Sequence, residues 1–328
     1  MDLPNDLRIA LESELASVPQ KSMAEAAGKL SRRYRGGQLP ENENSSFLRS
    51  RSDVVAYAAY RLPATFAAIY AVLNEVQKRR QVWRPRTFLD AGAGPGSALW
   101  AASEIWPELE QITLLERDEH MIAFGKQLAT HTHSAVVNQA SWQKVDLLGQ
   151  WESEPRDLVT TTYVIGELPT LQHERLINKL WSITADTLVI IEPGTPVGFS
   201  HIRQARQQLI DTGAHIIAPC PHNLPCPMGE NDWCHFAQRV ARSQLQRQVK
   251  QATLAYEDEK FSYVAASRAR SLPIGGRIIR HPQTRPGHIY LDFCTPGGLK
   301  STIVTRKDKE AFRQARDIEW GDSIPPID

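Results

Sequence analysis

The stretch Thr87-Phe88-Leu89-Asp90-Ala91-Gly92-Ala93-Gly94-Pro95-Gly96-Ser97 decides the fold. A short apolar strand runs into a glycine-rich turn, and a helix opens at Ser97 and continues to about residue 106. Glycines in such a turn reach positive φ and let the backbone approach a ligand closely, while the helix N-terminus favours negative charge. Outward from this turn, strands and helices alternate. Residues 111–116 predict a second strand, 118–130 a helix, 135–139 a third strand and 157–164 a fourth. A helix over 173–181 and a fully apolar fifth strand over 187–192 complete the run. Strands that are β-branched and nearly all apolar, separated by helices, imply a parallel sheet covered on both faces.

The second strand ends in Glu116, 20 positions after Gly96. A carboxylate placed there accepts hydrogen bonds from both hydroxyls of a ribose. A dinucleotide fold wants G-x-G-x-x-G, but counted from Gly92 the sixth position is Ser97, so that pattern fails. The turn instead resembles the D-x-G-x-G-x-G loop of class I S-adenosylmethionine (SAM) methyltransferases. That resemblance implies cofactor contacts from Asp90, Gly92, Gly94, Gly96 and Glu116. Asp146 stands where those enzymes place an adenine-contacting acid; an exposed loop acid is the plain alternative. On the catalytic side, amino-group methylating enzymes of this fold carry an Asn/Asp-Pro-Pro-aromatic motif after strand four. This chain has Ile165-Gly166-Glu167-Leu168-Pro169 there. Glu167 fits a general base, an amine-orienting group or a carboxylate lining the cofactor pocket. Methylation at carbon 5 of a pyrimidine needs a nucleophilic thiolate, and the cysteines are taken up elsewhere.

Those cysteines number four, Cys220, Cys226, Cys234 and Cys294, with spacing C-x5-C-x7-C-x59-C. Zinc knuckles come as tight C-x2-C pairs, which this is not. Three clustered cysteines plus one distant cysteine, with proline after or near them, suit a [4Fe–4S] cluster. A zinc ion and unmetallated thiols remain open alternatives, with His222 and His235 as substitute ligands, outer donors or plain surface residues. A basic run follows the cysteines: Arg239, Arg242, Arg247 and Lys250 read as one helix, and Arg277 and Arg280 continue it. Between residues 197 and 300 there are 13 Lys and Arg against 7 Asp and Glu, although the whole chain is +1. Interleaved Arg and His with few acids is how a phosphate-binding face looks, and a solvated helix face explains the first four alone.

Four regions follow from this reading. Residues 1–80 are helical and amphipathic, with helices over 7–15, 23–34 and 54–76, a polar break over 36–46, and Pro63 kinking or restarting the last helix. Arg32, Arg33 and Arg35 are either further nucleic-acid contacts or a solvated helix end. Residues 81–212 form the cofactor-binding core, with a helix over 199–211. Residues 213–308 hold the cysteine region and its basic surface, with strands over 261–266, 277–280, 288–293 and 301–304 that extend the sheet antiparallel at one edge. Residues 309–328 form a basic tail. At 328 residues, with 41% hydrophobic and 23% charged residues, the chain is no collagen, coiled coil or wholly disordered protein. No apolar run approaches the roughly 20 residues needed to cross a bilayer, and the first residues lack the charge pattern of a signal or transit peptide. A cytoplasmic protein with no membrane partner is expected; no oligomeric state is implied.

Taken together, Leu62-Pro63-Ala64-Thr65, the turn over 90–96, Ile191-Glu192-Pro193-Gly194-Thr195-Pro196, the cysteine run over 220–236 and Cys294-Thr295-Pro296 resemble one family. It is that of the methyltransferase-like small-ribosomal-subunit assembly factors of mitochondria and their bacterial relatives. The resemblance covers roughly residues 20–322. It implies a SAM-binding methyltransferase fold, a [4Fe–4S] site on the four cysteines, and association with small-subunit ribosomal RNA; the lack of a transit-peptide pattern favours a bacterial-type member. Three functions stand open: an active RNA methyltransferase, a non-catalytic assembly chaperone that keeps the cofactor pocket, and a zinc-dependent small-molecule methyltransferase that needs no basic surface.

Overall fold

The computed structural model describes residues 1–16, 18, 51–242, 247 and 253–325. The expected helix over 23–34 with Arg32, Arg33 and Arg35, the polar break over 36–46, and Lys250 lie outside the described residues. An eight-stranded sheet forms the centre, built from β1 (Thr87–Ala91), β2 (Gln111–Glu116), β3 (Ser141–Lys144), β4 (Arg156–Thr162), β5 (Thr184–Pro193), β6 (His215–Ala218), β7 (Phe236–Ala241) and β8 (Tyr256–Ser267). Its order is β3-β2-β1-β4-β5-β8-β6, with β7 also paired to β8. The first five strands are parallel. β8 runs antiparallel between β5 and β6, and its first half pairs with β7.

Side chains alternate across the strands and divide the core in two. Phe88, Leu158, Val189 and Ile191 join one cluster, packed with α1 (Asn5–Ala16), α2 (Arg51–Arg79), α3 (Ser97–Ile105), α4 (Glu119–Ala129) and the short α5 (Ala135–Asn138). Leu89, Val159, Leu188 and Ile190 join the other, under α6 (Thr170–Ser182) and α7 (Pro196–Asp211). This is the strand alternation of a sheet buried on both sides. α2 runs through Pro63 as one helix. Leu62, Phe66, Ile69 and Leu73 are all buried along it, and that packing outweighs the roughly 3 kcal/mol a proline takes from a helix interior.

Several expected elements change. The third strand is Ser141–Lys144, not 135–139, which forms α5. β3 is an edge strand whose one large apolar residue is Trp142, so its pattern is weak, while Val137 is buried among helices. Arg239 sits on strand β7 and Arg242 directly follows it, where a helix was expected. Phe236 and Val240, both buried, carry the even-numbered alternation of a strand. Of the four late strands, only β8 enters the central sheet, and it lies inside it rather than at the edge. With β6 and β7 it also carries that sheet past residue 212, the expected end of the core region.

The remaining strands form a second sheet of β9 (Gly276–Ile278), β10 (Gln283–Arg285), β11 (His288–Thr295), β12 (Gly298–Thr305) and β13 (Ser323–Ile324). One face packs Ile278, Ile289 and Leu291 under Phe312 and Ala315 of α8 (Lys309–Arg316). The other exposes Tyr290 and Ile303, so each strand alternates as a one-sided antiparallel sheet should. No helix among the described residues is long and apolar enough to cross a membrane.

Arg277 joins the two sheets. Its side chain is 1% exposed and pairs with Glu75 of α2 at 2.6 Å. Its Nε donates to the Pro219 carbonyl at 2.9 Å and Nη1 to that of Gly321 at 2.7 Å. The expectation of Arg277 as an RNA contact is therefore corrected: the guanidinium is spent inside the protein. Arg277→Met leaves the Glu75 carboxylate without its partner and is expected to lower unfolding stability by about 3–5 kcal/mol. Urea denaturation of the full chain checks this, and a loss below about 1 kcal/mol would contradict the linking role.

Candidate functional site

At the carboxyl ends of β1 and β2, the glycine turn is fixed by packing. Gly92, Gly94 and Gly96 have φ of +81°, +53° and +90°. A Cβ on Gly92 would stand 2.3 Å from Val164 Cγ2, and one on Gly96 3.2 Å from the Trp142 ring, whereas one on Gly94 would meet nothing within 4 Å. Gly92 and Gly96 thus serve the protein's own contacts, and Gly94 borders open space. Gly92 N and Ala93 N donate to Leu115 O. The Glu116 carboxylate accepts from Gly94 N at 2.8 Å and from Asp118 N at 2.9 Å, tying the first turn to the second. Burial pushes Glu116 up, and those backbone donors oppose the push.

Asp90 lies one layer below, 1% exposed. Its Oδ1 accepts from Thr160 Oγ1 at 2.6 Å, and its Oδ2 is buried with no hydrogen-bond partner. Burial raises Asp90 to about 7, against the opposing bond from Thr160. Asp146 is exposed on the loop after β3, at the same sheet edge, and its Oδ1 accepts from Leu148 N. Glu167 is exposed at the end of a single 3-10 turn, Ile165–Glu167. The turn is held from below by Glu192, 1% exposed, which accepts from Ile165 N at 2.9 Å and Gly166 N at 3.1 Å.

Tyr163 is a residue that sequence reasoning missed. It follows β4 with φ of 60°, uncommon for a bulky side chain and a mark of strain at functional edges. Its hydroxyl donates to Glu259 Oε1 at 3.0 Å, and Arg61 of α2 pairs with the same carboxylate at 2.9 Å. These three residues are spread over 198 positions, so no local pattern announces them. The open side of Gly94, the Glu116 carboxylate beside it and the helix N-terminus at Ser97 together fit a nucleoside cofactor with a flexible polar tail.

The four cysteines come together. Cys220, Cys226, Cys234 and Cys294 all line one cavity of about 40 Å3, and none forms a disulfide. Phe199, Met228 and Ile279 form its apolar wall. Burial pushes the Cys220 and Cys234 thiols up, and Cys294 up to about 12, with the neighbouring sulfurs adding to the effect. His222 Nε2 lies 3.7 Å from Cys294 Sγ, while His235 stacks on Trp233. Among the described residues no three His, Cys, Asp or Glu side chains are arranged to hold one metal ion as they stand. The donor set fits a thiophilic centre nonetheless: four sulfurs from two distant segments face one small apolar space.

The expected basic face is less free than its sequence implied. Arg239 pairs with Asp258 at 2.8 Å, Arg242 with Glu257 at 2.9 Å, and Arg280 with Asp232. Arg247 is exposed. Arg285 and Lys300, exposed on β10 and β12, carry no ion pair among the described residues.

A parallel sheet with one antiparallel strand before its last, a glycine turn after β1 and an acid ending β2 define a mixed α/β fold of the class I methyltransferase kind. The family described as "Mitochondrial small ribosomal subunit Rsm22" matches residues 51–325, and the chain belongs to it. The human protein described as "Ribosome assembly protein METTL17, mitochondrial" is 28% identical over 295 residues, 83% of this chain and 62% of that protein. "Rsm22-cox11 tandem protein 2, mitochondrial" of Schizosaccharomyces pombe is 26% identical over 341 residues, 87% of this chain and 45% of that protein. The chain spans less than two thirds of either relative. Among solved structures, the magnesium protoporphyrin IX methyltransferase of Synechocystis with bound SAM is 17% identical, covering 81% of this chain and 98% of that one, with a TM-score of 0.39.

The Asp90 environment makes stability depend on pH. Its folded pKa of about 7 lies above the ordinary Asp value, so the folded state holds a proton that the unfolded chain has already released. Stability therefore falls as pH rises through that interval and levels off above about 7. Asp90→Asn removes the titration. Wild type is expected to lose about 2–3 kcal/mol relative to Asp90→Asn between about pH 5 and about pH 8. Parallel pH–stability curves for the two proteins would contradict it.

Proposed function

We propose that the chain is a SAM-binding, iron–sulfur protein that associates with small-subunit ribosomal RNA during assembly of the ribosomal particle. The observation that carries this reading is the meeting of four cysteines, one of them separated from the other three by 59 intervening residues, around a single cavity. A [4Fe–4S] core is large enough to draw thiolates from loops this irregular; a zinc ion is the alternative. The names of the relatives, which speak of ribosome assembly and of the small ribosomal subunit, support the partner. The reading takes the protein to be cytoplasmic, where a reducing milieu leaves the thiols available. Arg239 and Arg247, with Arg285 and Lys300, are the exposed cations proposed to meet phosphate, and the half-buried Arg280 stands beside them.

In the cofactor pocket, Gly94 would border the methionine part, Glu116 would take the ribose and Asp146 the adenine edge. When bound, SAM supplies an electrophilic methyl group. Glu167, at the same sheet edge, is the side chain proposed to orient or deprotonate an acceptor. One observation favours a second reading, a non-catalytic assembly factor. The turn that would carry the amine-methylation motif is instead pinned through its backbone by Glu192, which serves shape rather than chemistry.

Two measurements test the proposal. Calorimetric titration with S-adenosylhomocysteine should give binding that Gly94→Ala weakens at least about tenfold with little loss of fold, since its strain is only about 1 kcal/mol. Gly92→Ala, which overlaps Val164, should lose both binding and stability. Equal binding by wild type and Gly94→Ala would contradict the pocket. In filter binding, small-subunit rRNA should associate with an affinity that falls steeply with salt. Absence of that RNA binding would remove the ribosomal reading.

A further inference from the structure

Arg206 presents an unbalanced charge inside the protein. It sits on α7 with 3% exposure. Its Nε–H donates to Cys220 Sγ at 3.2 Å, and its Nη2 donates to the carbonyls of His222 at 2.7 Å and Leu224 at 2.8 Å. Among the described residues no carboxylate pairs with it. Of the two other guanidiniums lining the same cavity, Arg203 is on an exposed residue and Arg277 is offset by Glu75. Guanidinium keeps its proton under all conditions a protein meets. Taking such a charge out of water without a countercharge is costly by several kcal/mol, and neutral carbonyls return only part of this. Its other partners are His222, which offers no negative charge, and the Cys220 sulfur. As thiols the four cysteines of the cavity are neutral, and Arg206 is then a buried cation among uncharged sulfurs.

A metal centre on those sulfurs removes the imbalance. Four thiolates around a [4Fe–4S]2+ core leave two negative charges in excess, and four around Zn2+ leave the same. We propose that Arg206 is the internal countercharge of the centre: it neutralises part of that excess and donates a hydrogen bond to Cys220 Sγ. The proposal rests on reading the cysteines as a metal centre. Its further content is that the charge of Arg206, beyond its role in holding the loop over 220–224, keeps the metal bound. With iron, a cation and a hydrogen bond at sulfur favour the more negative, reduced form, so Arg206 raises the reduction potential.

The test uses the full chain purified without oxygen, as wild type, Arg206→Gln and Arg206→Lys. Metal content is measured first, then the rate of metal release to a chelator, bathophenanthroline for iron and 4-(2-pyridylazo)resorcinol for zinc. Arg206→Gln keeps a donor and loses the charge, so release is expected at least about tenfold faster. Arg206→Lys keeps the charge without spanning all three acceptors, and release is expected within about threefold of wild type. With iron bound, the midpoint potential of Arg206→Gln should also lie below that of wild type, a readout that loop-holding alone does not move. Equal release by Gln and wild type, or Lys as fast as Gln, overturns the proposal. If Arg206→Gln is not recovered folded, Arg206→Lys decides: release near wild type supports the countercharge, and tenfold faster release overturns it. A wild-type protein that holds zinc removes the cluster but leaves the ranking of the variants to decide on Arg206. A wild-type protein that holds neither metal removes the metal-centre reading, and with it the proposal.

Discussion

A guanidinium taken out of water has to be met by acceptors from several directions, and Arg277 shows what that demands of a chain. It draws Glu75 from a helix near the start, the Pro219 carbonyl from the segment leading to Cys220, and the Gly321 carbonyl from the far end. Three segments that share no local sequence signal are thereby fixed around the strand that carries it. β9 then pairs with β11, whose Cys294 faces the thiols of the 220–234 segment. That internal charge and its partners act beside the Arg280–Asp232 pair and the packing of Trp320 against His235 and the main core in keeping the second sheet in place.

The cofactor edge and the cysteine cavity are neighbours through β5 and β8. Glu192, one residue before the end of β5, holds the turn after β4 with its carboxylate. Two residues later the Gly194 carbonyl accepts from Trp233 Nε1 at 3.0 Å, next to Cys234. Ser262 of β8 donates to the Cys234 carbonyl at 2.8 Å. The segment that carries Cys234 is thereby tied by two hydrogen bonds to β8 and to the residue that follows β5.

What could be read in the sequence was local. The β1 turn, Glu116 and the apolar run of β5 each carry their meaning within a few residues, and the structure has them where periodicity and glycine chemistry put them. The four cysteines were legible by rarity. The failures have one cause. β3 has a single large apolar residue, and β7 hides its alternation behind Arg239 and Arg242, so tertiary pairing decides both. Arg277 reads as one more cation in a basic run until Glu75, 202 positions away, takes it. Arg206 and the Arg61–Glu259–Tyr163 group gave no signal at all, because their partners meet only in the fold.

What the four thiols hold is measured by anaerobic purification of the full chain, with iron, sulfide and zinc analysis and an absorption spectrum. The prediction is a brown protein with about four irons and about four sulfides per chain, as a cubane requires. A colourless protein with one zinc and no iron would contradict it.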